Sequence, residues 1–298
     1  MALTQHRWSL PRPHRALWFC APGTLLMLAL LFLPALTVLG IALTDWRFGA
    51  RDFAFVGTGN FERLFADRLF WQSTGNTLLY VLIVVPGSVA LGLLLAVVID
   101  SGLSARSLYR SVFFLPVMAT MAAMAIAWQM VLHPSLGLVS HLLQTAGLPP
   151  QRWLYSETGV IPALAAIGIW QQAGFNMVLF IAGLRVIPRD LYDAAAVDGW
   201  QGPVARFVLV TLPMLGPVVM FVGVITTIRA FQVFDTVAVL TEGGPRDHSE
   251  VLLYTIYREG FEFYRTGYAA SMAVVFLIVI VVLTLLQARY FDRRVHYS

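Results

Sequence analysis

Residues 76–99 read NTLLYVLIVVPGSVALGLLLAVVI, a run of 24 residues without a charged side chain. A helix needs about 20 mostly apolar residues to cross roughly 30 Å of bilayer hydrocarbon, so this run predicts a membrane-spanning helix. The rest of the chain agrees, because 58% of its 298 residues are hydrophobic and only 12% are charged. This composition excludes an ordinary soluble globular domain.

Five further apolar runs are long enough to cross a bilayer, and short polar segments separate them. The first exceeds the apolar region of a signal peptide, which is about 7–15 residues, so we expect a retained span. We therefore predict an all-α polytopic membrane protein, with six transmembrane helices in one domain over residues 1–298. The five further predicted spans are 18–44, 111–132, 159–184, 207–228 and 268–287.

The arginine distribution predicts the orientation of these spans. Six spans place both termini on one side, and segments on that side carry eleven of the 20 basic residues, in shorter loops than those of the opposite side. Basic residues favour the cytoplasmic side of a membrane, so both termini are predicted to be cytoplasmic. The eleven are Arg7, Arg12, Arg15, Arg106, Arg110, Arg185, Arg189, Arg206, Arg289, Arg293 and Arg294.

The residue inventory argues against catalysis and nucleotide binding by this chain. It has no lysine, which excludes a Walker A phosphate loop and a Schiff-base lysine. Dispersed arginines do not predict nucleic-acid binding, and the single Cys20 cannot form an intramolecular disulfide. No metal-ligand spacing or nucleophile–base pattern occurs, so we expect no metal, no cofactor in this chain and no enzymatic activity. Any ATP that drives it must bind another chain.

The sequence of the polar loop 187–213 predicts its local structure. Pro188 ends the preceding span, Asp190 is a plausible N-cap, and Gly199 can adopt positive φ and stop a short helix. The small side chains of three consecutive alanines would let another protein approach the helix backbone closely; these are Ala194, Ala195 and Ala196. The loop therefore predicts a short helix outside the membrane that docks onto a partner, although an ordinary amphipathic connector is the plainer alternative.

This loop resembles the EAA motif of ABC importer permeases. An acidic residue and two alanines precede a glycine, and a leucine–proline pair follows, here Asp193, Ala194, Ala195, Gly199 and Leu212-Pro213. Asp193 replaces the usual glutamate. Ten residues rather than nine separate Gly199 from Val210, and we assign the extra one to Trp200-Gln201.

The resemblance extends to the maltose and glycerol-3-phosphate type of permease, through segments 109–116, 128–137, 170–188 and 234–270. It implies a type I ABC importer fold in the bacterial cytoplasmic (inner) membrane and a heterodimer with a second, similar permease. It also implies two ATP-binding cassette subunits carrying ATP and Mg, and an extracytoplasmic substrate-binding protein. The residues implied to contact the ATPases are Asp193, Ala194, Ala195, Ala196, Asp198 and Gly199.

Such a permease would translocate a sugar, polyol or glycerol phosphate by ATP-driven alternating access. The first alternative is an ABC permease for a non-sugar solute, which would share the EAA loop. The second is a proton-coupled secondary transporter, which would need a carboxylate relay inside the membrane. Few acids lie within the predicted spans, which argues against it.

Polar and aromatic residues within or next to the spans are candidates for a solute pathway, because they are costly in lipid unless they face a cavity. Amides and aromatic rings suit sugar hydroxyls and C–H faces. Helix–helix hydrogen bonding or an interfacial aromatic belt remains the alternative for each. The resemblance places Asn176 and Gln232 in segments that line the sugar site, and Arg229 with Asp235 is either a structural pair or a gate. The candidates are Trp128, Trp170, Gln172, Asn176, Arg229, Phe231, Gln232, Phe234 and Asp235.

Overall fold

A computed structural model describes residues 13–101, 105–200 and 202–292. Four arginines used for the orientation, Arg7, Arg12, Arg293 and Arg294, lie outside the described residues, as does the side chain of Arg15. Gln201 also lies outside the described residues. The extra residue of the loop was assigned to the pair Trp200-Gln201.

The described chain is helical, with one isolated β-bridge between Thr44 and Phe55. Three short π-helical stretches, Leu28–Phe32, Phe207–Thr211 and Arg258–Glu262, continue or join α-helices. The α-helices are α1 (Pro13–Met27), α2 (Leu33–Ala42), α3 (Gly59–Ala66), α4 (Arg68–Asp100), α5 (Arg106–Met118), α6 (Met121–Val131), α7 (Leu138–Thr145), α8 (Val160–Leu184), α9 (Arg189–Val197), α10 (Pro203–Arg206), α11 (Leu212–Met214), α12 (Gly216–Phe231), α13 (Asp235–Leu240), α14 (Leu252–Tyr257) and α15 (Thr266–Asp292).

Five helical segments are long and apolar enough to cross a membrane, and a bent pair, α5 with α6, raises the number to six within the described part of the chain. The six predicted spans therefore all correspond to apolar helical segments. The five unpaired segments are Phe19–Ala42, Arg68–Asp100, Val160–Leu184, Gly216–Leu240 and Thr266–Arg289.

The third predicted span is not straight. Its two helices meet at 102°, because Ala119 and Thr120 both adopt extended backbone between α5 and α6. Neither residue is a glycine or proline, so the two residues at the bend gave no signal for it, although Pro116 lies three residues earlier in α5.

The predicted fifth span, 207–228, differs in its boundaries from the candidate span of the structure. Residues 203–214 form a separate short apolar segment, and the candidate span runs from Gly216 to Leu240. Pro213 and Pro217 lack the backbone N–H that a continuous helix needs, which accounts for the boundary near Leu215. The span is itself interrupted between α12 and α13, so Gln232, Phe234 and Asp235 lie within it rather than after it.

Helices α4, α8 and α12 form the centre of the bundle, where α4 and α8 pack along much of their length. Gly92 permits this approach, because a Cβ at that position would lie 2.6 Å from Cβ of Asn176 and 3.1 Å from the carbonyl oxygen of Ala173. At one end of this centre lies α9, and at the other the interruption between α12 and α13. These two places contain the functional candidates.

Candidate functional site

Helix α9 is bounded as the sequence predicts, with one difference at its start. The backbone of Gly199 has φ +87°, and Trp200 N–H donates to the carbonyl of Ala195 at 2.8 Å, which closes the helix in a Schellman arrangement. The N-cap, however, is Pro188, and no side chain caps the helix. Asp190 instead lies in the first turn, where a carboxylate favours the positive end of the helix dipole.

One face of α9 is anchored to the membrane bundle. Ala195 is only 9% exposed and packs in an apolar cluster with Ile187, Val210 and Leu215. The hydroxyls of Tyr192 and Thr211 are 3.0 Å apart, within hydrogen-bond distance. Because Leu215 immediately precedes α12, the cluster connects α9 to the start of that helix.

The opposite face of α9 is exposed. Asp193, Ala194 and Asp198 are exposed, and the apolar side chain of Val197 is 87% exposed. Trp200 adds a large exposed aromatic ring directly after the helix. Large apolar side chains that protrude beside acidic residues are typical of a protein-contact surface.

The interruption between α12 and α13 places polar residues within a candidate span. Residues 232–234 leave the helical path, with Phe234 at φ −145° and ψ −62°. Irregular backbone inside a membrane is tolerated where it is buried in protein or lines a wet cavity. In transporters, interrupted helices of this kind commonly form the solute site.

A small polar cavity of about 150 Å³ lies beside this interruption, lined by Val117, Gln171, Gln172 and Arg229. The Arg229 guanidinium stacks on the ring of Phe175, 3.9 Å from its centroid. Oε1 of Gln172 is buried and has no hydrogen-bond partner among the described residues. The cavity therefore offers a held cation and an unused amide acceptor, which together can bind a polar solute.

Arg229 and Asp235 do not form an ion pair. Both side chains are exposed, and within the described ranges neither takes part in a salt bridge. The expectation of a structural pair or a closed gate is therefore not met in this conformation.

The comparison with protein families decides the identity of the chain. Residues 88–297 match the family described as binding-protein-dependent transport system inner membrane component. The chain belongs to this family.

Relatives of this transport component cover most of its length. It is 32% identical over 277 residues to a probable ABC transporter permease protein, YurN, of Bacillus subtilis, covering 92% of this chain and 94% of the relative. It is 35% identical over 249 residues to the sn-glycerol-3-phosphate transport system permease protein UgpA of Pectobacterium atrosepticum, covering 82% of each chain.

Solved structures show the same fold. A crystal structure of a bacterial ABC transporter that imports the acidic polysaccharide alginate matches with a TM-score of 0.80 and 24% identity, over 94% of this chain and 96% of the other. A second, with an alginate pentasaccharide-bound periplasmic protein, gives 0.82 and 23%, over 95% and 97%. The predicted type I ABC importer permease fold is confirmed.

Asn176 of the transport component is not exposed to a cavity in this conformation. It is 1% exposed, and its amide donates to the Ser88 hydroxyl at 3.4 Å and accepts from the Thr226 hydroxyl at 3.0 Å. The residue therefore joins α4, α8 and α12 by hydrogen bonds. This is the helix-bonding alternative, whereas Gln172, four residues earlier, lines the polar cavity.

The remaining predicted pathway residues lie in different surroundings. Trp128 and Trp170 meet edge to face, with centroids 5.3 Å apart. Phe231 is buried against Phe276, whereas Gln232 is exposed. The structure thus brings Gln172 and Arg229 together and places the two tryptophans in a separate aromatic contact.

Two groups of residues escaped the sequence interpretation. Ser88 and Thr226 hold Asn176, and Ser88 was visible as a hydroxyl residue within an otherwise apolar run. The second group surrounds Tyr257 and Arg258, beyond α13, where a larger cavity opens. Nothing local in the sequence indicates that cavity, because its walls come from two separate segments, 234–242 and 254–262.

Proposed function

We propose that this chain is one of two channel-forming subunits of a binding-protein-dependent ABC importer that takes up a sugar or a related polyol or glycerol phosphate. In this assembly a second, similar permease completes the channel. Two ATP-binding cassette subunits bind ATP and Mg and dock on α9, and an extracytoplasmic protein delivers the solute. The chain itself catalyses no reaction.

The observation that carries this proposal is the two-sided environment of α9. Its outward face presents Asp193, Ala194 and Val197, while Ala195 and Tyr192 attach its inward face to the base of α12. A force applied to the outward face would therefore reach α12, whose far end borders the polar cavity at Arg229. This arrangement suits ATP-driven alternating access, in which closure of the ATPases moves a helix and opens the channel.

The proposal includes an orientation, with both termini and α9 on the cytoplasmic side of the inner membrane. Support comes from the arginine distribution, including Arg185, Arg189 and Arg206 around α9. The substrate class is supported by the relatives named for glycerol-3-phosphate and by the amide groups beside the interrupted span.

Reconstitution tests the assembly. The chain is co-expressed with its neighbouring permease and ATPase genes, purified and placed in liposomes with the neighbouring binding protein. Sugar-stimulated ATP hydrolysis and sugar uptake are expected. A binding protein that takes only peptides would defeat the sugar assignment, and a chain that never co-purifies with an ATPase would defeat the importer assignment.

A further inference from the structure

A cavity of about 620 Å³ opens just beyond the interrupted span, and we call it the outer pocket. The residues of its lining used below are Phe234, Glu242, Tyr254, Tyr257, Arg258 and Glu262. Phe234 belongs to the interruption itself, so the outer pocket adjoins the solute-path candidates. It lies at the end of α12 remote from α9, and its volume is in the range of small-molecule sites.

One wall of the outer pocket is aromatic. The ring of Phe234 meets that of Tyr257 edge to face with centroids 5.2 Å apart, and Tyr254 stacks on Tyr257 with 22° between the rings. Phe261 also stacks with Tyr257, with the ring centroids 5.6 Å apart. Tyr257 is 39% exposed, so part of a fixed, flat ring remains available. Such a surface suits the apolar C–H face of a sugar ring.

Two carboxylates hold Arg258, the cation in the polar wall of the outer pocket, in place. Nη1 of Arg258 donates to Oε2 of Glu250 at 2.9 Å, and Glu250 is fully buried. Nε of Arg258 lies 3.7 Å from Oε2 of Glu262, one helical turn away. A guanidinium fixed by two carboxylates can still offer its other N–H groups to hydroxyls. Hydrogen-bond donors and acceptors therefore line the same cavity as the aromatic rings.

Carboxylates outnumber cations around this pocket. Glu242 and Glu262 line the pocket together with Arg258, and Glu250 pairs with Arg258 from outside the lining, whereas Glu242 forms no ion pair in the described part of the chain. The adjacent Glu259 and Arg265 pair with each other at 3.2 Å and cancel. Burial raises the pKa of Glu250, but Glu242 and Glu262 still exceed Arg258 when Glu250 is protonated. The pocket is therefore net negative near neutral pH.

From these observations we propose that the outer pocket is a sugar-binding site that receives a neutral or positively charged ring before it enters the interrupted span. The excess of carboxylates disfavours rings that carry a carboxylate or phosphate. This inference rests on the proposed function in sugar uptake and narrows its substrate class.

Three hexopyranoses of matched shape test the charge preference: methyl α-glucoside, glucosamine and glucuronate. Saturation-transfer difference NMR on the full chain in lipid nanodiscs detects weak binding of each. We expect signals from the neutral and amino sugars. The apparent affinity for glucuronate should be roughly tenfold lower than theirs, which is the effect of repulsion between one pair of like charges a few ångströms apart. Equal or stronger binding of glucuronate, or no signal from any of the three, overturns the proposal.

Variants locate the site. Tyr257→Leu should remove the signals, and the double change Glu242→Gln with Glu262→Gln should bring glucuronate to the level of the neutral sugar. Tyr155→Leu and Asp190→Asn, at an exposed tyrosine and an exposed aspartate that do not line the pocket, are matched controls that should change nothing. Signals that persist in Tyr257→Leu, with the controls folded alike, would place the site elsewhere and refute the outer pocket.

A negative result in this experiment can be distinguished from a failure of the proposed function. Association with ATPase subunits does not involve the outer pocket, so a chain that assembles and transports but binds no hexose at Tyr257 loses only this inference. A chain that binds hexoses here but never assembles keeps the pocket and loses the importer assignment.

Discussion

The two ends of α12 differ in what holds them. At the end near α9 the contacts are apolar, formed by Ala195, Val210 and Leu215, with a single hydroxyl pair between helix and bundle. At the other end the helix stops inside the candidate span, and the guanidinium of Arg229 and the amide of Gln172 line a cavity. Close apolar packing transmits displacement, whereas unpaired polar groups discriminate among solutes. Changes at the two ends should therefore have separable effects.

The largest effect is expected from Ala194→Arg on the exposed face of α9. A bulky cation in the centre of a docking surface should weaken ATPase binding by roughly a hundredfold, the scale of a hot-spot residue. Uptake of every solute should fall together. Binding of the purified chain to the ATPase subunits, measured by biolayer interferometry, checks this.

Ala146→Arg, at an exposed alanine after α7, is the control for Ala194→Arg and should bind normally. If Ala194→Arg lowers uptake of one solute and spares others, substitutions at the two ends of α12 do not have separable effects.

Ala195→Leu tests the inward face of the same helix. The larger side chain overpacks the cluster with Ile187 and Val210, which typically lowers stability by about 1–3 kcal/mol. We expect a lower melting temperature in detergent, in contrast to Ala194→Leu one residue away. Equal melting temperatures for the two variants would show that α9 is not anchored by this cluster.

Arg229→Gln addresses the other end of α12. Loss of the cation should change the KM for uptake by roughly tenfold, about 1.4 kcal/mol, while ATPase binding to α9 is retained. Arg152→Gln, at an exposed arginine outside the cavity, serves as its control. A variant with unchanged KM for the transported solute would remove Arg229 from the path.

Asn176→Leu is expected to have the smallest effect on transport, and it separates the helix-bonding role of this residue from a role in the solute path. Removing hydrogen bonds to Ser88 and Thr226 should lower stability by about 1–2 kcal/mol and leave solute preference unchanged. Thr226→Val removes one of these bonds and should have a smaller effect. Altered preference among sugars in Asn176→Leu, with normal stability, would return this residue to the path.

The sequence predicted those features that apolar runs and special backbone conformations determine. The span predicted at 159–184 matches Val160–Leu184, and the positive φ of Gly199 ends α9 as expected. The sequence also predicts that Asn176 and Arg229 are polar groups within or next to the spans, but which polar group each contacts depends on tertiary packing. Asn176 illustrates this, because its partners are 88 and 50 residues away.

The features that were missed have no local signal. The interruption at 232–234 contains Val233 and Phe234, apolar residues that a continuous helix could equally contain. The 102° bend between α5 and α6 occurs at alanine and threonine. The outer pocket combines the end of α13 with α14 and the following π-helical turn, which only the fold brings together.

Site-specific cross-linking at α9 tests the central claim most directly. In a Cys20→Ser background, Ala194→Cys is combined with a photoactivatable thiol reagent in inside-out vesicles of the assembled importer, with Ala146→Cys as the control. The account predicts a cross-link from residue 194 to an ATP-binding cassette subunit, changed in yield by ATP, and none from residue 146. Labelling of residue 194 only from outside intact cells, with no ATPase adduct, would contradict it.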